Sequence, residues 1–131
     1  MTKRFEPITD KCGEIVDYMM SSEDMPEDET LLFKIRLSVE EAVSNVVNYA
    51  YIHGEGWIEV GTSRDGNLLV ITLKDSGKPF DPLGKPDPDL SLPAEQREIG
   101  GLGIFLCKKM MDSIGYEYSD GCNVLTMTIT V

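Results

Sequence analysis

The sequence has little basic charge and no long hydrophobic run. Only 12 residues are Lys or Arg, against 23 Asp or Glu, so the formal net charge is −11 over 131 residues. An acidic surface repels phosphate backbones, which disfavours binding to DNA or RNA. The longest apolar run, residues 68–73, is far too short to span a bilayer, and the N-terminus lacks the apolar core of a signal peptide. We therefore expect no membrane segment.

Cysteine and histidine are also scarce. Cys12, Cys107 and Cys122 are scattered and form no Cys-x-x-Cys pair, which argues against a zinc knuckle or a disulfide framework. Reduced thiols in a cytoplasmic protein are the simplest interpretation. The single histidine, His53, follows the longest helical pattern and is interpreted as a loop residue. The length suits one domain over residues 1–131.

The apolar periodicity predicts three helices and two hairpins. Five of the seven prolines lie in residues 77–100, which excludes regular structure there and predicts a lid loop. The first hairpin turns at residues 64–67 and the second at Asp120-Gly121. This order predicts an α+β, two-layer sandwich with a mostly antiparallel sheet. The predicted helices are 8–22, 31–51 and 103–113, the last stopped by Gly115, and the strands are 57–63, 68–74, 116–120 and 123–131.

The long helix carries two stripes at helical spacing. One stripe is apolar and includes Ile35, Val39 and Val43, which are expected in the core. Beside it lies a polar stripe expected at the rim of the core, formed by Ser38, Glu41, Asn45 and Asn48. Glu41 and Asn45 are one turn apart and point the same way. A carboxylate beside an amide oxygen suits a hard cation and an activated hydroxyl or water. A solvated polar flank explains the same pattern, and the helix alone favours that interpretation.

Two further patterns could form a site. Asp75, at the end of an apolar strand, could accept a hydrogen bond from an exocyclic amine, and Gly77 would leave room for a flat ring. For Asp75 alone, a simple strand-ending turn is the preferred explanation. Gly101 and Gly103 precede or open a helix, where unpaired N–H groups attract anions. A hinge explains these glycines about as well, and neither a Walker pattern nor a Rossmann fingerprint is present.

The motifs in combination are more specific than each alone. Glu-x-x-x-Asn on a long helix, Asp-x-Gly after a strand, a proline-rich lid and Gly-Gly-x-Gly before a helix occur in this order. The combination resembles the Bergerat ATP-binding fold shared by gyrase, histidine kinases and related ATPases. Within that fold, EEAVSNVVNYAY, LKDSGKPFDP and IGGLGIFLCKKMMD are similar to the bacterial anti-sigma factor and serine-protein kinase family, and the likeness covers nearly the whole chain.

The resemblance implies two cofactors, ATP and Mg²⁺, and a role for each matching residue. Glu41 would be the general base, with Glu40 as a competing acid that helical geometry turns to solvent. Asn45 would bind Mg²⁺, Asp75 would accept from the adenine amino group, and Gly77 would lie beside the base. The phosphates would be held by Gly101 and Gly103, with Arg97 and Lys85 as candidates from the lid.

This chain departs from the family pattern in two places. Family members usually have a strand before the first helix, and only about five residues precede the helix here. The superfamily often places a threonine near adenine in the last strand. Asn123 occupies the best-matching position in this chain and Thr126 lies further on, so the sequence leaves both open.

The function implied by the resemblance is that of an anti-sigma factor acting as an ATP-dependent protein serine/threonine kinase. Its partners would be a sigma factor and a small anti-anti-sigma protein phosphorylated on Ser or Thr, and a homodimer is compatible with it. The alternative is a nucleotide-responsive binding module without turnover. The catalytic domain of a histidine kinase is poorly supported, because the chain has no dimerisation helix with a phosphoacceptor histidine.

Overall fold

The computed structural model describes residues 1–7, 11–50, 56–79, 81–84 and 101–131. Within them, an edge strand and two helices precede a hairpin, and a third helix precedes a second hairpin. The elements are β1 (Thr2–Phe5), α1 (Cys12–Met20), α2 (Glu29–Asn45), a π-helical turn (Val46–Ala50), β2 (Ile58–Asp65), β3 (Leu68–Asp75), a 3₁₀ turn (Pro82–Gly84), α3 (Gly101–Met110), β4 (Ser113–Ser119) and β5 (Cys122–Thr130).

The five strands form one antiparallel sheet in the order β1-β2-β3-β5-β4. β3 is central, as its nearly continuous apolar sequence predicts. Both hairpins turn at the predicted glycines. Gly66 has φ of 61°, and Asp120 and Gly121 have φ of 54° and 77°, the left-handed conformations that tight two-residue turns require. These turns set the strand register, in which Asp75 lies directly opposite Asn123.

The helices cover one face of this sheet and form a two-layer core with it. The alternating residues of the central strands point into the core, whereas their neighbours in sequence lie on the uncovered face. α2 begins at Asp28, whose side chain accepts a hydrogen bond from the Leu31 N–H group at 2.9 Å. The sheet supplies to the core Ile58, Val60, Leu69, Ile71, Leu73, Leu125, Met127 and Ile129, and the helices supply Ile15, Val16, Met19, Ile35, Val39, Ala42, Val43 and Cys107.

The predicted fold class is confirmed: the chain is an α+β sandwich with three helices and an antiparallel sheet. The edge strand that the sequence left open is present as β1, which pairs with β2. In the described parts of the chain, no helix is both long and apolar enough to cross a bilayer.

Two element boundaries were predicted wrongly. α3 ends at Met110, so residues 111–113 are not helical, and Gly115 does not stop the helix but lies within β4. Apolar periodicity continues through this segment because helix and strand both need buried residues there, and periodicity alone cannot tell the two apart. The long helix is also not uniform, since its last turn, Val46–Ala50, is π-helical.

Candidate functional site

α2 and α3 approach each other closely where Glu41 meets Gly103. A Cβ atom at position 103 would lie 2.5 Å from Oε2 of Glu41 and 3.4 Å from its carboxyl carbon. One turn later in α3 and one turn earlier in α2, the buried Cys107 thiol donates a hydrogen bond to the Ser38 carbonyl at 3.4 Å. Glycine at 103 is therefore what allows the first turn of α3 to lie against the Glu41 carboxylate.

The Glu41 side chain is half-buried, and its carboxylate forms no hydrogen bond or ion pair with the described residues. The pKa of the Cys107 thiol is raised to about 12, first by burial and second by the negative charge of the nearby Glu41 carboxylate. Glu40 is exposed and pairs with Arg36 at 3.0 Å. The structure thus places Glu40 in solvent, as helical geometry predicts, and Glu41 at the interface of two helices.

A cleft opens beside this contact, at the end of α2. It is lined by residues from the end of α2, the central strands and the 3₁₀ turn, and its volume is about 300 Å³ including its open mouth. The 3₁₀ turn lies within the predicted lid, and the side chain of Asp81, directly before it, accepts from the Leu83 N–H group at 2.8 Å. The residues that line the cleft are Asn45, Val46, Asp75, Pro82, Tyr116, Asn123 and Leu125.

Asp75 lies at the floor of the cleft and is only 3% exposed. Its Oδ1 accepts two hydrogen bonds, from the Gly77 N–H group at 2.9 Å and from Asn123 Nδ2 at 2.9 Å. No hydrogen bond from the described residues reaches Oδ2. Burial raises the pKa of the Asp75 carboxyl, whereas the bonds from Asn123 and Gly77 act in the opposite direction. Asp75 therefore presents one occupied and one available acceptor.

Asn123, on β5, connects three parts of the cleft. Its Nδ2 also donates to the Lys78 carbonyl at 2.8 Å, and its Oδ1 accepts from the Tyr116 hydroxyl. Thr126 points to the uncovered face of the sheet, since residues 123, 125, 127 and 129 are the buried ones along β5. Of the two candidates that the sequence left open, the structure places Asn123 in the cleft and Thr126 outside it.

Tyr116 is a cleft residue that sequence reasoning missed. The signal was present in the turn: a two-residue Asp120-Gly121 turn pairs Ser119 with Cys122 and therefore Tyr116 with Leu125. That register puts the Tyr116 ring on the same face as Asn123. Its hydroxyl contact depends on side-chain geometry, which no sequence pattern reports.

The predicted site residues fall into two groups. Glu41 and Gly103 are in contact, while Asn45 and Asp75 line one cleft beside them and Gly77 donates to Asp75. Gly101 is the first residue of α3. Arg97 and Lys85 lie outside the described residues. The end of α2 and the end of β3 thus border one cleft, and Glu41 meets Gly103 one turn away along α2, whereas the roles of these residues and the lid cations stay predictions.

The described residues contain no group of three or more His, Cys, Asp or Glu side chains arranged to hold a metal ion. Asn45 nevertheless suits a hard cation as a single ligand. Its amide is half-buried at the cleft and forms no hydrogen bond with the described part of the chain. Mg²⁺ commonly takes only one or two protein ligands and completes its shell with phosphate and water.

Comparison with known sequences places this geometry in a family. The family model of the histidine kinase-like ATPase domain matches residues 14–129. The serine/threonine-protein kinase BtrW of Bordetella bronchiseptica is 28% identical over 99 residues, which cover 75% of this chain and 70% of BtrW. The serine-protein kinase RsbW of Bacillus cereus is 33% identical over 95 residues, which cover 70% of this chain but 59% of RsbW. These relatives confirm the resemblance to the serine-protein kinase family.

Solved structures agree on the fold. The catalytic domain of the histidine kinase ThkA superposes with a TM-score of 0.63 at 16% identity, covering 99% of this chain and 95% of that one. The RsbU and RsbW domains of Rv1364c from Mycobacterium tuberculosis give a TM-score of 0.62 at 11% identity, over 99% of this chain and 32% of that one. At these identities the likeness concerns the fold alone. Because the family model matches residues 14–129, which is most of the chain, the chain belongs to the histidine kinase-like ATPase domain family.

Proposed function

We propose that this chain binds ATP with Mg²⁺ and acts as a protein serine/threonine kinase that regulates a sigma factor. Two neighbouring contacts along α2 support the proposal. Asn45 and Asp75 line the same cleft, and Glu41 of the preceding α2 turn touches Gly103 at the start of α3. A solvated polar flank would not bring these residues together, and the kinase names of the relatives support the same conclusion.

The floor of the cleft is where we place the adenine base. Oδ2 of Asp75 is available as a charged acceptor in a buried setting, and an exocyclic amine is the matching donor. Leu125 and Val46 add apolar surface on which a flat ring can pack, and Pro82 lies over the same space. Gly77 keeps the backbone beside Asp75 free of a side chain, as a closely packed ring requires.

The phosphates then extend toward the start of α3. The N–H groups of the first turn of a helix are unpaired and carry the positive end of its dipole, so Gly101 and Gly103 would offer backbone donors to phosphate oxygens. Asn45 would hold Mg²⁺ through its amide oxygen, and Arg97 would add charge from the lid. When bound, the metal would neutralise charge on the transferred phosphoryl group.

In the proposed reaction, Glu41 accepts the proton of a serine or threonine hydroxyl on the partner. The hydroxyl oxygen forms a bond to the γ-phosphorus of ATP while the bond from that phosphorus to the β–γ bridging oxygen breaks, and ADP leaves. No hydrogen bond from the described residues competes for the Glu41 carboxylate, which suits it to this role. Positioning of the phosphates and the metal by Asn45 and by the first turn of α3 would supply the rest of the rate enhancement, as is usual in phosphoryl transfer.

The partners follow from the resemblance: a sigma factor, and a small anti-anti-sigma protein that receives the phosphate. The net charge of −11 supports protein partners over nucleic acid. A cytoplasmic location suits such partners. The match to the Bacillus kinases spans 59% of their length, so the activity of the whole relatives is carried over as part of this proposal.

Transfer of radiolabel from [γ-³²P]ATP to a small anti-anti-sigma protein, followed by phosphoamino-acid analysis, tests the proposal directly. We expect phosphoserine or phosphothreonine. Calorimetric titration of ATP with Mg²⁺ and with EDTA provides the second arm. Asn45→Ala should remove the metal-dependent part of the affinity, whereas Asn48→Ala on the exposed side of the adjoining turn should keep it.

Two results would count against the proposal in different ways. Nucleotide binding without any phosphoprotein or loss of ATP over long incubation would favour the binding module without turnover. No affinity for ATP or ADP, or an Asn45→Ala variant with unchanged metal dependence, would refute the assignment of the cleft as a nucleotide site.

A further inference from the structure

Three hydrogen bonds hold the Asn123 side chain inside the cleft. Nδ2 donates to Asp75 Oδ1 at 2.9 Å and to the Lys78 carbonyl at 2.8 Å, and Oδ1 accepts from the Tyr116 hydroxyl. Asn123 is 4% exposed. An amide carries two N–H donors, and both are committed here.

The orientation of this amide follows from the chemistry of its partners. An ionised carboxylate and a backbone carbonyl can only accept hydrogen bonds, so the NH₂ group must face Asp75 and Lys78. The amide oxygen must then face Tyr116, whose hydroxyl is the donor. A flipped amide would set two acceptors against each other and leave both N–H groups directed at a hydroxyl. Asp75 and the Lys78 carbonyl therefore fix the orientation of the Asn123 amide, and the Tyr116 hydroxyl donates to the amide oxygen that this orientation turns toward it.

This arrangement has a consequence for the nucleobase. Because both N–H groups of Asn123 are committed, Asn123 has no donor left for a base, and its role differs from direct recognition. Instead, Asn123 holds the Asp75 carboxylate through one of its two oxygens, Oδ1. Oδ1 is occupied by Asn123 and Gly77, and Oδ2 remains available at the cleft. One charged acceptor in a nearly dry position accepts an N–H group and opposes a carbonyl oxygen.

We propose that Asn123 and Tyr116 are positioning residues that hold the Asp75 carboxylate with a single oxygen presented to the cleft, and that they thereby set selectivity for a purine with an amino group at position 6. The inference rests on the proposed nucleotide site and adds its base specificity. Purines with hydrogen or a carbonyl at position 6 are disfavoured because the buried oxygen then has no donor or faces a second acceptor. Asp75 is the residue that touches the base, and Asn123 and Tyr116 act through it.

The test compares two diphosphates that differ only at position 6: ADP, and purine riboside 5′-diphosphate, which has hydrogen in place of the amino group. Calorimetric titration of the full chain gives the ratio of their dissociation constants. For the unmodified chain we expect ADP to bind about 10- to 100-fold more tightly, the effect of a hydrogen bond to a charged, buried group. Inosine diphosphate, with a carbonyl at position 6, should bind no better than the purine analogue.

Asn123→Leu keeps the approximate size of the side chain and removes all three bonds. It should reduce the ADP preference to less than about threefold while the affinity for the purine analogue stays nearly constant. Tyr116→Phe deletes one oxygen and keeps the ring, so it should lower the preference part of the way. Thr126→Val, on the same strand but on the uncovered face, is the matched control and should keep the full preference.

The ratio distinguishes positioning from simple structural damage. If Asn123→Leu and Tyr116→Phe weakened both diphosphates equally and kept the ADP preference, the two residues would be structural and the inference would be overturned. Tyr116→Phe is the smaller change, so its ratio decides the question even if Asn123→Leu fails to fold. Failure of the unmodified chain to bind either diphosphate would refute the proposed nucleotide site, and the selectivity inference with it.

Discussion

Two clusters of buried polar side chains lie in the described part of this domain, and they are built differently. In the loop cluster, the Ser22 and Thr62 hydroxyls lie 2.7 Å apart and lie 3.2 and 2.9 Å from Asp24 Oδ2, so their two protons are shared among three contacts. In the cleft cluster, Tyr116 and Asn123 lead to Asp75. Each joins two hydrogen-bonding side chains to one aspartate.

The two clusters differ in the surroundings of the aspartate oxygen atoms that the cluster itself does not use. Asp24 is partly exposed, so the rest of its carboxylate is in contact with water, and the cluster only attaches the loop after α1 to β2. Asp75 is 3% exposed and borders a cleft, with an oxygen that no described residue satisfies. In the described part of the chain no fully buried side-chain polar atom lacks a hydrogen-bond partner, so this oxygen is open to the cleft, where a ligand donor can reach it. The comparison teaches that an acceptor open to a cavity, and not polarity or burial alone, marks the functional cluster.

The largest effect of any substitution is expected at Glu41, which lies next to the cleft cluster. Glu41→Gln should reduce phosphoryl transfer by roughly 10²- to 10⁴-fold, the usual contribution of a general base, with little change in ADP affinity. Glu40→Gln is the matched control, because Glu40 is exposed and only pairs with Arg36. Single-turnover transfer assays measure both. Full activity in Glu41→Gln would show that the assigned base is wrong.

A second test separates shape from stability at the cleft. Gly103→Ala places a Cβ 2.5 Å from Oε2 of Glu41, so the carboxylate must move and transfer should fall by about 100-fold. Alanine is also the better helix former, so stability should change by less than about 1 kcal/mol. Gly13→Ala, in α1 with no atom near the added carbon, should keep full transfer. Equal effects of the two substitutions would contradict the close contact.

The loop cluster should respond in the opposite way. Thr62→Val removes the hydroxyl that bonds Ser22 and Asp24, and we expect it to lower the free energy of unfolding by about 1–2 kcal/mol. Its ADP affinity should stay within twofold of the unmodified chain. Thr62→Ser, which keeps the hydroxyl, is the control. Urea unfolding and calorimetry report the two quantities, and a large loss of ADP affinity in Thr62→Val would erase the distinction between the clusters.

The smallest effect is the pH dependence that Asp75 contributes. Burial raises the folded-state pKa of Asp75 above its unfolded value. Its stabilising contribution is therefore complete below the unfolded pKa and is lost as pH rises through the folded pKa. ADP affinity should change in the opposite direction, since the protonated carboxyl is a poorer acceptor for the amino group.

Both trends are measured as differences between the unmodified chain and Asp75→Asn, by urea unfolding and ADP titration from acidic to neutral pH. Thr62→Val should lower stability at every pH without altering either slope. If the difference between the unmodified chain and Asp75→Asn showed stability and ADP affinity rising together with pH, the raised pKa of Asp75 would be contradicted.

Much of the fold could be predicted because its signals are local. The apolar spacing along α2 predicted Ile35, Val39 and Val43 in the core, and these residues are fully buried. Asp120-Gly121 predicted a tight turn and has the positive φ angles of one. The end of α3 was misplaced because residues 111–115 bury apolar side chains in either conformation. β1 was left open because four residues carry too little periodicity to define a strand.

The site was predicted as a set of residues, but its contacts were not. Glu41 and Asn45 could be paired from helical spacing, because one turn of helix is a fixed distance. The contact of Glu41 with Gly103 joins positions far apart in the chain, and it depends on how closely two helices pack. Tyr116 was missed because its contribution is a single hydroxyl, whose place is set by the strand register and the side-chain rotamer together.

The sequence by itself determined which segments are helices and strands, where the chain turns tightly, and which residue types stand ready for nucleotide chemistry. Those properties depend on spacing and backbone preference over a few residues. Only the tertiary structure decided that β5 lies beside β3, which sets Asn123 opposite Asp75 and leaves one carboxylate oxygen at the cleft. That pairing joins segments widely separated in sequence, and it is selected by burial of the whole apolar face at once.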